Sequence, residues 1–197
     1  QVEADTNPGF LYQQNSLRDA LVAAIHLNIF NQHCDRVHMA NIAQTINVLQ
    51  AVILTEPTDA NEAGRILLTP TYHVFEMYKV HHDATLLPLD IQCPEYSFGG
   101  AALPAVSGSA SRNADGVVHV TLANLNPNEA VELACELRGV AGSQISGRVL
   151  TAPAMDAHNS FDLPDQVRPA PFTGATYTEA GLTLKLPAKS VVVLAIA

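Results

Sequence analysis

The chain has 197 residues, 48% of them hydrophobic and 15% charged, with a formal net charge of −9. Such a composition excludes disorder and specifies a folded body with a sizeable core. The acidic balance sets nucleic acid aside as a partner, and no apolar run reaches the roughly 18–20 residues of a membrane span.

The first predicted element is a helix over 15–33. Leu17, Ala20, Leu21, Ala24, Ile25 and Ile29 fall on one stripe at helical spacing. Asn15 or Ser16 can cap its start, and Ser16 with Asp19 makes a capping box with a short acidic arm. "RVHMANIA", residues 36–43, follows after a short link. Its Val37, Met39 and Ile42, spaced by small alanines, suit a strand buried on both faces, as in a parallel sheet. "TINVLQAVILTE", residues 45–56, fits helix or extended chain, and "PTDANEAG", residues 57–64, reads as a polar loop. Thr69 as N-cap with Pro70 at the first helical position starts a second helix. Val74, Met77, Tyr78 and His81 share its inner face.

From about Leu86 the pattern changes to alternation. Val118, Val120 and Leu122 point one way, as do Val131, Leu133, Cys135 and Leu137, and then Leu182, Leu184 and Leu186. Ser107, Ser109 and Ser111 alternate as outward-facing polar residues do. Asp115-Gly116, Asn126-Pro127-Asn128 and Ala180-Gly181 supply turns. Short antiparallel strands with turn punctuation predict a β-sandwich or barrel. Residues 1–85 therefore read as the end of an α/β domain too short to close alone, and 86–197 as an all-β domain.

Little in the chain spells out chemistry. The eight histidines form no HExxH or HxH, and no GxSxG is present. Cys34, Cys93 and Cys135 are far apart and in no CxxC, which argues against a disulfide framework or a zinc site. Unpaired cysteines with no visible leader predict a cytoplasmic location, and neither metal nor cofactor is expected. Glu56, Glu76 and Asp83 are the acids of the α/β part, but nothing marks two as neighbours, and Glu76 on a helix reads as a solvated or ion-paired residue. Asn41, Gln44, Asn47 and Gln50 stand three apart in an otherwise apolar stretch. A buried amide without a partner costs about 1–3 kcal/mol, so each is satisfied by the fold or faces a ligand. Gln44 follows the predicted strand directly, and in α/β barrels the C-terminal ends of strands hold the active site. It contacts a ligand there or caps loop backbone.

"NPGFLYQQNSLRDALVAAIHLNIFNQHCDRVHMANIAQTINVLQAVILTE" and "LLTPTYHVFEMYKVHHDA" resemble the α-L-arabinofuranosidases of glycoside hydrolase family 51, as do "HNSFDLPDQVRP" and "LPAKSVVVL" further on. The resemblance spans nearly the whole chain. It implies the tail of a (β/α)8 barrel over 1–85, supplying the seventh helix, eighth strand and eighth helix. A jelly-roll-like antiparallel β-sandwich would occupy 86–197. The family retains configuration using two glutamates, one in an Asn-Glu pair after the fourth strand and one before a Trp after the seventh. Neither motif is present: the chain has no Trp, and Asn61-Glu62 and Asn128-Glu129 lie in predicted loops. Both catalytic glutamates are thus expected outside this chain, which alone would be inactive. One position carries over: the family's sugar-binding Gln at the end of the eighth strand matches Gln44, with weaker claims for His38 and Asn47. The implied partners are an arabinofuranosyl-bearing oligo- or polysaccharide and the rest of the barrel, and the family's habits allow a homo-oligomer. The competing reading is a non-catalytic β-sandwich module that supports a partner barrel or binds carbohydrate. Aromatic residues at 6% with no Trp argue against sugar binding by the sandwich itself.

Overall fold

The computed structural model describes residues 15–56, 64–140, 142, 144–179 and 181–197. Most of the predicted 57–64 loop, with Asn61-Glu62, and the Ala180 half of one predicted turn lie outside the described residues. Helix α1 (Leu17–Gln32) starts at Ser16, whose backbone N–H and hydroxyl both donate to one Asp19 carboxylate oxygen, at 2.8 and 3.0 Å. The short acidic arm therefore completes the cap. Strands β1 (Ile53–Glu56) and β2 (Arg65–Leu68) form an antiparallel hairpin. Helix α2 (Pro70–Tyr78) begins at Thr69, whose hydroxyl accepts the Tyr72 N–H and lies 3.0 and 3.1 Å from the carbonyls of Ala51 and Val52. A 3₁₀ turn, Lys79–His81, extends it.

The strands that follow are β3 (Thr85–Leu87), β4 (Glu95–Phe98), β5 (Ala101–Pro104), β6 (Val106–Arg112), β7 (Val118–Asn124) and β8 (Val131–Cys135). They continue with β9 (Ile145–Leu150), β10 (Ala170–Pro171), β11 (Ala175–Thr178), β12 (Gly181–Leu186) and β13 (Ser190–Ile196). All pair antiparallel: a six-stranded sheet in the order β10-β9-β13-β7-β6-β3, a three-stranded sheet β11-β12-β8, and the hairpin β4-β5. Val118 and Leu122 of β7 and Leu194 and Ile196 of β13 meet Leu182, Leu184 and Leu186 of β12 in a core between the sheets. The expected one-sided alternation of β7 and β12 is what builds it. Gly108 of β6 faces this core; a Cβ there would lie 2.8 Å from the Leu122 side chain and from the Thr121 carbonyl.

The six-stranded sheet is buried on its other face as well. Ala123 of β7 and Val191 and Val193 of β13 pack against Leu17, Ala20, Leu21 and Ala24 of α1 and Val74, Met77 and Tyr78 of α2. The molecule is thus three layers deep: helices, long sheet, short sheet. β13 lies in the middle and reads "VVVL" because both its faces are apolar, as for any strand covered twice. Each fully buried Val or Leu contributes about 1.5–3 kcal/mol of transfer free energy.

Three expectations need correction. Residues 37–42 form no strand, and Met39 is 78% exposed; a strand buried on both faces needs flanking strands, and none pairs with it among the described residues. Ser109 and Ser111 do not face outward but are buried at 1% and 4% exposure, because the helices cover that face. The buried stripe of α1 runs through Asn28, fully buried, while Ile29 is 43% exposed. The open choice over 45–56 resolves as bends through residue 50, then β1.

Candidate functional site

Gln44 is exposed, and the Ala43–Gln44 peptide is cis. Beyond it the chain folds back on itself. The Thr45 carbonyl accepts the N–H groups of Val52 and Ile53 at 3.1 and 3.0 Å, Ile46 bridges Ile53, and the Asn47 N–H donates to the Ile53 carbonyl at 3.0 Å. The Asn47 side chain clamps Thr55: Oδ1 accepts its N–H at 2.7 Å and Nδ2 donates to its Oγ1 at 2.7 Å. Gln50 Nε2 donates to Thr71 Oγ1 at 3.2 Å. The four amides are therefore not a buried set. Asn41, Gln44 and Asn47 are exposed, and only Gln50 is half-buried. Asn47 satisfies both neighbouring backbone and a hydroxyl, whereas Gln50 binds a hydroxyl.

Two grooves border this segment. One, of about 330 Å³, separates Asn47, Leu54 and Thr55 from His158, Ser160 and Phe161. Its far wall is held rigidly. Buried Asn159 donates to the carbonyls of Leu68 and Val167 at 2.9 and 3.0 Å and accepts the Val167 N–H at 2.7 Å. Arg65 ties the walls together, pairing with Glu56, donating to the Phe161 carbonyl at 3.2 Å and lying 5.1 Å over the Phe161 ring. The second groove, about 270 Å³, runs between Val22, His26 and Phe30 of α1, residues 40–42 and Phe75. Gln44 and His38 line neither groove. Residue patterns did not single out the 158–161 wall. The only signal for it was the string "HNSFDLPDQVRP", whose Asn and Phe supply the anchor and the ring.

The three candidate acids stand apart. Glu56 is taken by Arg65, and Asp83 is an exposed residue at φ 55. Glu76 pairs with Arg148 of β9 at 2.7 Å and with Lys79 at 3.1 Å. Partial burial pushes its carboxyl up, but the hydrogen bonds and charges of Arg148 and Lys79 outweigh that and hold it below the usual carboxylate range. Its ion-paired reading holds.

The densest polar cluster lies where the helices meet the long sheet. Asn28 Oδ1 receives the hydroxyls of Tyr78, Ser109 and Thr121 at 3.0, 3.1 and 2.9 Å. His81 lies between Ser111 Oγ, 2.7 Å from Nδ1, and Thr121 Oγ1, 3.1 Å from Nε2. With Thr121 donating to Asn28, its oxygen is left to accept Nε2–H, and in the neutral ring that burial favours Nδ1 then accepts from Ser111. Burial, reinforced by His119 and His82, pushes the His81 pKa down to about 4. Burial also raises the Tyr78 hydroxyl, despite its hydrogen bonds. Gln32 and Asn31 add bonds to the Gly108 carbonyl and Ser109 Oγ at 2.7 and 3.0 Å. The cluster fastens one layer to the next; it offers no exposed acid, base or nucleophile.

The layers and loops define a class: an antiparallel-sheet domain roofed by helices, with a polar loop site at its edge and no acid pair among the candidate carboxylates. The chain belongs to the α-L-arabinofuranosidase C-terminal domain family, whose sequence profile matches residues 1–190. It is 46% identical over 193 residues to an intracellular exo-α-L-arabinofuranosidase of Bacteroides ovatus, covering 98% of this chain and 36% of that protein. It is 28% identical over 183 residues to an intracellular exo-α-(1→5)-L-arabinofuranosidase of Streptomyces lividans, covering 91% of this chain and 26% of the relative. The structure superposes on the GH51 arabinofuranosidase of Xanthomonas axonopodis pv. citri with a TM-score of 0.91 and 46% identity, over 99% of this chain and 38% of that one. The chain thus spans between about a quarter and two fifths of the length of these proteins.

Proposed function

We propose that this chain is the C-terminal part of an exo-acting, retaining α-L-arabinofuranosidase. The observation that carries the reading is 46% identity along 98% of the chain to a protein of that activity. In this reading residues 1–85 complete a (β/α)8 barrel and 86–197 form a jelly-roll-like sandwich against it. Residues 37–43 become the eighth strand when the preceding strands are present to pair with it. The catalytic glutamates belong to the remaining two thirds of the enzyme. The protein works inside the cell, as the Bacteroides and Streptomyces relatives do by name. A homo-oligomer, which the resemblance allows, is checked by sedimentation of the complete enzyme.

Gln44 carries this chain's contact with the sugar. Its amide both donates and accepts, so it can hold a hydroxyl without placing a charge beside an oxocarbenium-like transition state. In the complete enzyme, Gln44→Ala should lower kcat/KM on an aryl α-L-arabinofuranoside by about 10- to 100-fold, the scale of a sugar hydrogen bond that strengthens in the transition state. The melting temperature should hold, since an exposed side chain is removed. An unchanged kcat/KM removes the role. The 197-residue chain alone should release no arabinose from the same substrate; turnover by it would overturn the placement of the glutamates.

A further inference from the structure

The residues that follow Gln44 fold back onto β1 and hold it from that side. Asn47 dominates that hold. It sits in the left-handed region at φ 63, which asparagine tolerates better than most residues. Its side chain makes two 2.7 Å hydrogen bonds to Thr55, one to the backbone and one to the hydroxyl. Its own N–H reaches the Ile53 carbonyl at 3.0 Å. Asn47, three positions past Gln44, thus adds three hydrogen bonds to the closure of the Thr45–Thr55 loop, beside the two that the Thr45 carbonyl accepts from Val52 and Ile53.

What Asn47 grips is itself fixed. Thr55 belongs to β1, which pairs along its length with β2, and the Leu68 carbonyl of β2 receives Asn159 at 2.9 Å. The Thr69 hydroxyl holds Ala51 and Val52 from the start of α2. Asn47 thus ties the chain just past Gln44 to β1, which β2 and Asn159 hold in turn.

We propose that Asn47 is a positioning residue for Gln44: it sets where the amide meets the sugar without touching the sugar itself. This rests on the sugar contact proposed for Gln44, and the experiment keeps the two apart. In the complete enzyme, Asn47→Gly removes the clamp while leaving the left-handed backbone accessible. Asn47→Asp keeps an acceptor for the Thr55 N–H and a second for the Thr55 hydroxyl, which can rotate to donate.

Asn47→Gly is expected to lower kcat by about tenfold or more, since small misplacements of a transition-state contact are costly, with KM changing less. Asn47→Asp should restore most of that loss. In a Gln44→Ala background Asn47→Gly should cost no more than about twofold, the scatter of independent substitutions, while its shift in melting temperature stays the same in both backgrounds. An Asn47→Gly loss of equal size with and without Gln44 would overturn the proposal and leave the sugar contact standing. So would an Asn47→Gly enzyme within about twofold of the parent in kcat/KM. An inert Gln44→Ala, read on its own, removes the sugar contact and this proposal together.

Discussion

Asn28 is a fully buried amide in an otherwise apolar helix face. It is tolerated because three hydroxyls converge on its Oδ1, and the sheet-borne partners, Ser109 and Thr121, lie 81 and 93 residues further along the chain. Asn28→Ala leaves those hydroxyls short of an acceptor and opens a gap, so it should cost about 2–4 kcal/mol, read as a lowered urea midpoint with an unchanged slope. A variant within about 0.5 kcal/mol of the parent would show that the cluster reorganises freely. Helical periodicity could not reveal this residue, because an amide scores as outward until its partners are known. Gln44 is proposed from its place after the predicted strand and from the resemblance that "NIAQ" carries. The Asn47 clamp was illegible for a different reason: it depends on a left-handed loop conformation that no periodicity encodes.

Helices α1 and α2 were legible because their signals are local: a cap, an acidic arm or a proline, and a stripe. Strand alternation from Val118 onward was legible too, but it reports which residues share a face and not what covers that face. Hence Ser109 and Ser111 read as outward, although a helical layer stands over them. The same layer contact has a pH signature. His81 is held near 4, against about 6.5 in an unfolded chain. Between those values the unfolded state binds the extra proton, so stability falls as pH drops from 6.5 toward 4, by about 3 kcal/mol if the full shift is expressed. Below both values the loss is complete. Above 6.5 His81 contributes no slope. The parent compared with His81→Asn in urea melts at pH 7.5 and 4.5 should show a smaller pH dependence in the variant; parallel losses would assign the slope to other groups. The ion pairs of Glu76 with Arg148 and Lys79, being partly exposed, should matter far less: Arg148→Ala should cost under about 1 kcal/mol by the same measurement.

For the whole molecule, the outer side of the helical layer stands out. Val22, Met39 and Ile46 are 48%, 78% and 50% exposed, and Val22 lines the groove between α1 and residues 40–42. Among the described residues no strand pairs with 36–43, so the predicted strand is not formed. If the rest of a barrel closes over this side, backbone amides 37–43 should exchange slowly with deuterium in the complete enzyme and fast in the 197-residue chain. Equal, fast exchange in both would place the missing strands elsewhere.

β13, last of the strands in chain order, lies between β7 and β9 and pairs with β7 from Ser190 and with β9 from Val191, both through Ile196. A ribosome delivers these strands in sequence, so β7 and β9 emerge with open edges long before the strand that joins them. Two half-sheets must wait, each carrying unpaired amides and a bare apolar face, the condition that invites pairing with the wrong neighbour. The segment that completes the architecture is also the one whose late arrival exposes the growing polypeptide to aggregation. Yield in the cell should therefore respond to holdase chaperones acting during translation more than to any gain in equilibrium stability.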